Sequence, residues 1–148
     1  MTLKEKIIAD MTAAMKAQEA LKLSVLRMLK AEIMKYEVSG GEKVATDEVV
    51  VELVQRAIKQ RKEAIEGFNK GGNTQSAQQE EAEILILQSY LPQQMSLEEL
   101  KEVAKAVAGE MGAVDASAFG RVMGAVMVKV KGKAEGNLVS QAVKEVLG

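Results

Sequence analysis

The residues best suited to binding chemistry lie in one basic segment, RVMGAVMVKVKGKAEG, which spans residues 121–136. Its cations are Arg121, Lys129, Lys131 and Lys133. No acidic residue occurs between Ala116 and Ala134, so the positive charge is concentrated there. A loop with three ammonium groups can follow a phosphate backbone, and Gly132 lets the main chain approach closely. Lysine runs also serve only to keep surfaces soluble, so the pattern alone admits both interpretations.

Two glycines precede the lysines on the same predicted helix. Gly120 and Gly124 are one helical turn apart, and a glycine inside a helix costs about 1 kcal/mol relative to alanine. Two explanations are open for this cost. One is close packing of another helix against the glycines, which is the simpler explanation, and the other is close approach of an RNA backbone. Both can hold if this helix lies at the domain surface.

Missing residue types restrict the possible chemistry. The chain has no Cys and no His, which excludes disulfides, thiolate nucleophiles and the commonest general base and metal ligand. We therefore predict no catalytic residues, no metal site and no cofactor. Glu80 and Glu83 are three residues apart, as in some metal sites, but the motif lacks a matching partner helix. A helix-dipole and solubility role is the favoured interpretation of these carboxylates.

Two further groups of residues have alternative interpretations. Arg56, Lys59, Arg61 and Lys62 form a second basic group, which nearby Glu52, Glu63 and Glu66 can pair within one helix. We interpret it as a solvated, salt-bridged face rather than a second nucleic-acid contact. The nine Met could form an adaptable binding groove. Most of them fall on apolar helix stripes and are predicted to fill the core: Met11, Met15, Met34, Met123 and Met127.

The amino-terminal sequence gives an expectation for localisation. MTLKEKIIADM is charged and amphipathic and lacks the apolar core of a signal peptide. No apolar run approaches the roughly 20 residues needed to span a bilayer. From these two observations we predict a cytoplasmic protein without membrane contact.

The elements that must position the basic segment are all predicted to be helices. Hydrophobic residues make up 47% of the 148 residues, aromatic residues only 3%, and there is one Pro, a balance typical of an all-α globular fold. Helices are predicted to begin after Thr2, near Glu19, after Thr46, at Ser76 and after Ser96, then at Asp115 or Ser117, and near Asn137.

Pro92 suggests where the chain divides. A proline pushes the preceding residue out of the helical conformation, so the fourth helix, predicted to reach Tyr90, ends before it. We predict a four-helix amino-terminal domain over residues 1–91, a linker over 92–95 and a three-helix subdomain over 96–148. The last part is small enough to require some docking onto the first.

Two stretches carry a resemblance to a known family. LPQQMSLEEL (Leu91 to Leu100) and FGRVMGAVMVKVKGKAEGNLVSQAVKEVL (Phe119 to Leu147) resemble the GatB/YqeY family, and the likeness runs over essentially the whole chain. The related domain forms the tail of the B subunit of glutamine-dependent Asp/Glu-tRNA amidotransferase. A related fold also precedes the catalytic core of some glutaminyl-tRNA synthetases.

The resemblance implies a non-catalytic module that holds the outer corner of tRNA by its phosphate backbone, beside an amidotransferase or aminoacyl-tRNA synthetase partner. By motif match its tRNA-binding residues are Arg121, Lys129, Lys131 and Lys133, with Gly124, Gly132 and Gly136 shaping the surface. The carbon–nitrogen ligase activity of the amidotransferase resides elsewhere in that complex. A helical protein–protein interaction module without RNA binding is the alternative, and an independent enzyme is a third hypothesis.

Overall fold

The computed structural model describes residues 1–41 and 43–148. Within those residues the protein is built from helices alone, which confirms the all-α prediction. The seven α-helices are α1 (Leu3–Lys16), α2 (Ala20–Val38), α3 (Asp47–Lys70), α4 (Thr74–Gln88), α5 (Leu97–Met111), α6 (Phe119–Lys129) and α7 (Gly136–Leu147). A short 3-10 helix, Ala116–Ala118, precedes α6.

Contacts within the chain group into two compact units. Unit 1 comprises Met1–Leu91 with α1 to α4, and unit 2 comprises Pro92–Gly148 with the remaining helices. In unit 1, α4 packs against α3 and α2, and α1 packs against α2. In unit 2, α7 packs against both α5 and α6.

Aliphatic side chains fill both cores, because the amphipathic helices turn their apolar stripes inward. Unit 1 buries mainly Ile7, Leu26, Leu29, Ile33, Val54, Ile58 and Leu87. Unit 2 buries Leu100, Ala104, Val107, Val122, Val126, Val130, Val139 and Val143 among others. No polar or charged residue among those described is buried.

Three of the predicted helix starts carry the predicted caps. The hydroxyl oxygens of Thr2, Thr46 and Ser96 each accept a hydrogen bond from a backbone N–H three residues ahead. At Ser96 the box is complete, because the Glu99 side chain also accepts from the Ser96 N–H. These local bonds satisfy N–H groups that have no partner within the helix.

The predicted starts of two helices are displaced. The fourth helix begins at Thr74, not at Ser76, and the Asn73 side chain caps it by accepting from the Ser76 N–H. Asn73 follows two glycines that end α3, so its short amide reaches the first free N–H groups. The last helix begins one residue early, at Gly136, where the flanking Glu135 makes no side-chain cap.

The helix-dipole part of the interpretation of the acidic group on α4 is wrong. Glu80 and Glu83 lie beyond the first turn of α4, too far from its start to complement the dipole. Both instead face Arg61 of α3, whose Nη2 lies 3.4 Å from Glu83 Oε1 and whose Nε lies 3.9 Å from Glu80 Oε2. Arg61 also donates to the Ala57 carbonyl oxygen at 3.0 Å. This residue of the second basic group thus joins two helices rather than pairing within one.

The methionines are less buried than their helix positions suggest. Met11 and Met123 pack against the two cores. Met15, Met34 and Met127 are exposed at 52%, 53% and 36%, so the prediction that they fill the core is wrong for these three. An apolar residue at the edge of a stripe fits the helical period without lying beneath a neighbouring helix.

Candidate nucleic-acid interface

The outward face of α6 brings together part of the predicted site. Arg121 and Gly124 are exposed on this helix, three residues apart and therefore on one side of it. Val122 and Val126 occupy the opposite side and are fully buried. Burial of this valine stripe orients the helix so that Arg121 and Gly124 face solvent.

The three lysines continue from the end of this helix. Lys129 is the last residue of α6, and Lys131 and Lys133 lie in the turn that leads towards α7. All three are exposed. Between them, Val130 is buried and its N–H donates to the Val126 carbonyl oxygen at 3.0 Å. The turn is therefore anchored from beneath by an apolar residue while its cations face outward.

The basic turn, residues 130–133, has a defined backbone conformation. The Lys133 N–H donates to the Val130 carbonyl oxygen at 2.8 Å. Gly132 has φ +80°, a left-handed conformation that favours glycine. The backbone conformation of the turn thus accounts for a glycine at position 132.

Residues 94 and 95, which sequence analysis places in a linker, also hold this turn. Gln94 Nε2 donates to the Gly132 carbonyl oxygen at 3.0 Å. The Met95 N–H donates to the Lys133 carbonyl oxygen at 2.8 Å. Sequence reasoning missed both residues as part of the site. The sequence indicated their involvement only in that LPQQM belongs to the same family pattern as the lysines.

The glycines of α6 are not explained by packing within unit 2. A Cβ atom built at Gly120 or Gly124 meets no atom within 4 Å. The same holds at Gly136, the exposed first residue of α7. No other helix of unit 2 therefore packs against α6 at its glycines. Gly120 and Gly124 thus form an open strip on the helix beside Arg121.

The electrostatics of the segment are those of an exposed cationic surface. Lys129 Nζ lies 3.8 Å from Glu110 Oε2, and both side chains are at least half exposed, so water screens the pair strongly. The side chains of Arg121 and Lys133 form no ion pair with any described residue. Lys131 does interact within the structure. Among the described residues, Arg121 and Lys133 can therefore contact a ligand without breaking an ion pair.

No group of three or more acidic side chains within residues 1–41 and 43–148 is arranged to hold a metal ion. A small cleft of unit 1 is lined by Glu32, Lys35, Tyr36, Ser39, Leu53 and Arg56. The Ser39 hydroxyl in this cleft donates to the Tyr36 carbonyl oxygen at 2.8 Å.

With this geometry established, comparison with known proteins identifies the family. The family model described as "Yqey-like protein" matches residues 4–147, nearly the entire chain. The chain belongs to the YqeY-like family. The resemblance inferred from the two motifs is thus confirmed over the full range, including both α6 and the basic turn.

Curated relatives of this YqeY-like chain are fungal. A protein of Pyrenophora tritici-repentis named "Altered inheritance of mitochondria protein 41, mitochondrial" is 29% identical, over 97% of this chain and 80% of its own length. The protein of the same name from Eremothecium gossypii is 30% identical over 55% of this chain and 45% of its own length. An uncharacterised protein of Schizosaccharomyces pombe is 34% identical over 56% of this chain and 67% of its own length.

These relatives overturn the predicted cytoplasmic localisation. Three of the matched proteins are named as mitochondrial. The prediction was wrong because the lack of a secretory signal or a membrane span does not distinguish the cytosol from the interior of an organelle.

No single helix within residues 1–41 and 43–148 is both long and apolar enough to cross a bilayer. Leu97–Met111 and Ala116–Lys129 meet the length and composition requirements only together, with a 94° bend between them. Both contribute buried faces to the core of unit 2.

Proposed function

We propose that this YqeY-like protein is a non-catalytic tRNA-binding module that contacts the phosphate backbone. The observation that carries the proposal is the cluster of four exposed cations, Arg121, Lys129, Lys131 and Lys133, on α6 and the basic turn. Phosphate contacts of this type supply sequence-independent affinity for nucleic acids. They also suit an accessory role beside an enzyme that performs the chemistry.

The form of the surface favours recognition of shape over recognition of bases. Proteins that read single-stranded bases use aromatic side chains as stacking platforms. Phe119, the aromatic residue of unit 2, is half-buried, and Lys144 Nζ lies 5.9 Å from its ring centre. The open strip at Gly120 and Gly124 would instead let a folded RNA backbone lie close to the helix. This fits the outer corner of tRNA, where the related tail domain is expected to bind.

A partner enzyme remains part of the proposal. An aminoacyl-tRNA amidotransferase or synthetase would supply the catalytic site, and this chain would hold the tRNA. Because three relatives carry mitochondrial names, mitochondrial tRNA belongs among the ligands to be tested.

The decisive experiment is a salt titration of tRNA binding. Four phosphate contacts predict a log–log slope of the binding constant against salt concentration of roughly −3 to −4. A Lys129/Lys131/Lys133→Ala variant should lose measurable binding while retaining its helical circular dichroism. The matched control is Lys16/Lys59/Lys70→Ala, which removes three exposed lysines of unit 1 and should bind like the wild type.

Two results would reject the tRNA module. One is a wild-type protein that binds no tRNA even at low salt. The other is equal binding by the wild type and the variant of the basic turn. A loss of affinity in both triple variants would show instead that overall charge, not this surface, determines binding.

A protein-binding module is the second candidate function. Val128 and Met127, near the end of α6, are 79% and 36% exposed, and such apolar residues can contact a partner helix. This candidate predicts a complex that survives nuclease and high salt. It also predicts that Val128→Ser, but not the triple lysine variant, weakens the complex.

A further inference from the structure

We propose that Gln94 is a positioning residue for the basic turn, and that it keeps Lys131 and Lys133 directed at the nucleic-acid backbone. This inference rests on the proposed function for the ligand, but its structural part can be tested separately. The residue lies 38 positions from Gly132 in the sequence, and its side chain reaches that residue's carbonyl oxygen.

The carboxamide of Gln94 is fully used as a donor. Its nitrogen donates to the Pro92 carbonyl oxygen at 2.8 Å and to the Gly132 carbonyl oxygen at 3.0 Å. Both partners are acceptors only, so the amide nitrogen, not the oxygen, must face them. One NH2 group thus bridges the segment that opens unit 2 and the centre of the turn.

The hydrogen bond from Gln94 is made to Gly132, the residue of the turn with the greatest conformational freedom. Gly132, with its left-handed φ, separates the two lysines, and a glycine has more conformational freedom to lose than any other residue. The adjacent carbonyl, that of Lys133, accepts the Met95 N–H at 2.8 Å. Consecutive carbonyls of the turn are therefore held by consecutive residues of the 94–95 segment.

This arrangement has a consequence for binding. A turn that is already ordered loses less conformational freedom when it contacts a ligand, so its affinity for the ligand is higher. Gln94 is itself exposed and uncharged, so it adds no phosphate attraction. Its contribution should appear in affinity without a change in the number of ionic contacts.

The test compares Gln94→Leu with Gln93→Leu. Leucine removes the donor at position 94, and Gln93 is an exposed neighbour with no side-chain hydrogen bond in the described structure, so it controls for the added apolar surface. Hydrogen exchange at the Lys133 amide reports on the turn, since this amide donates to Val130. The tRNA salt titration reports on binding, and thermal unfolding reports on the fold.

For Gln94→Leu we expect Lys133 amide exchange about five-fold faster or more, as for the loss of one net hydrogen bond. Affinity for tRNA should fall about three- to ten-fold, with the wild-type salt slope retained, and the melting temperature should fall by about 4–8 °C. Gln93→Leu should match the wild type in every measurement. A merely structural role would speed exchange and lower the melting temperature while leaving the tRNA affinity of the folded protein unchanged.

Unchanged exchange at Lys133 in Gln94→Leu would overturn the inference, whatever the binding result. Faster exchange with unchanged tRNA affinity would also overturn it, because the order of the turn would then be irrelevant to binding. If the wild type binds no tRNA, the proposed function fails and the ligand-directed part of the inference fails with it. The exchange result would then still decide whether Gln94 holds the turn.

Discussion

Arg61 Nη2 lies 3.4 Å from Glu83 Oε1, and the two side chains are each only 14% exposed. This contact joins the middle of α3 to α4, the helix pair that forms much of unit 1. The Nε atom of Arg61 is buried and makes no hydrogen bond to any described residue, so Glu83 and the Ala57 carbonyl are the principal partners of the guanidinium.

Removing the guanidinium should therefore destabilise unit 1. We expect Arg61→Met to lower the free energy of unfolding by about 1–2 kcal/mol, because Glu83 would be left half-buried without its partner. Urea denaturation followed by tyrosine fluorescence measures this change. Arg56→Met, an exposed residue of the same helix, is the control and should change stability little. Equal stability of both variants would show that the pair contributes nothing.

The open strip on α6 gives a prediction in which stability and binding change in opposite directions. Gly124→Ala should raise the stability of unit 2 by about 0.5–1 kcal/mol, because alanine favours the helix and its Cβ meets no neighbour. The same methyl group should weaken tRNA binding several-fold if the RNA backbone lies against this strip. Denaturation followed by circular dichroism and the tRNA titration measure the two effects.

The control for this substitution lies on the neighbouring helix. Gly109 of α5 is also exposed, with no atom within 4 Å of a built Cβ. Gly109→Ala should stabilise in the same way and leave binding unchanged. A Gly124→Ala variant that binds as tightly as the wild type would remove the glycine strip from the proposed interface.

Tyr90 predicts a loss of stability at alkaline pH. Its hydroxyl donates to Asp10 Oδ2 at 2.6 Å, and burial, followed by this hydrogen bond and the Asp10 charge, raises the pKa of the phenol above its ordinary value of 10.0. The folded protein therefore retains the phenolic proton more strongly than the unfolded chain does. The contribution of the protonated Tyr90 to the free energy of unfolding is therefore fully present below pH 10.0. It is lost as the pH rises beyond that value.

Comparison with Tyr90→Phe isolates this effect. At neutral pH the variant should be less stable by about 1 kcal/mol, because Asp10 loses its donor. The difference from the wild type should narrow above about pH 10, as measured by urea denaturation at a series of pH values. A difference that stays constant with pH would mean that the phenol has no raised pKa.

How much could be predicted from the sequence depended on the range of the interactions. The caps at Thr2, Thr46 and Ser96 were predictable because each involves residues three apart. The contact of Arg61 with Glu83 was not, because helical periodicity does not specify which faces of two helices meet. The pairing within α3 that was predicted for Arg61 used only residues close in sequence. In the structure Arg61 instead pairs with a residue of α4.

The same limit applies to the candidate site. Its cations and glycines could be chosen from composition and family pattern, and the left-handed Gly132 is consistent with its glycine identity. The support from Gln94 could not be predicted, because no periodicity relates positions 38 residues apart. The prediction of localisation was wrong for a different reason, because it rested on signals that the sequence lacks rather than on residues that it contains.

The aliphatic core of unit 2 determines which optical signals the protein can give. The chain has no Trp and two Tyr, and both tyrosines, Tyr36 and Tyr90, lie in unit 1. Intrinsic tyrosine fluorescence will therefore report the unfolding of unit 1 but not that of unit 2, which carries the basic turn. A Phe119→Trp substitution would place an indole at the start of α6, where its emission could report both the melting of unit 2 and the arrival of an RNA.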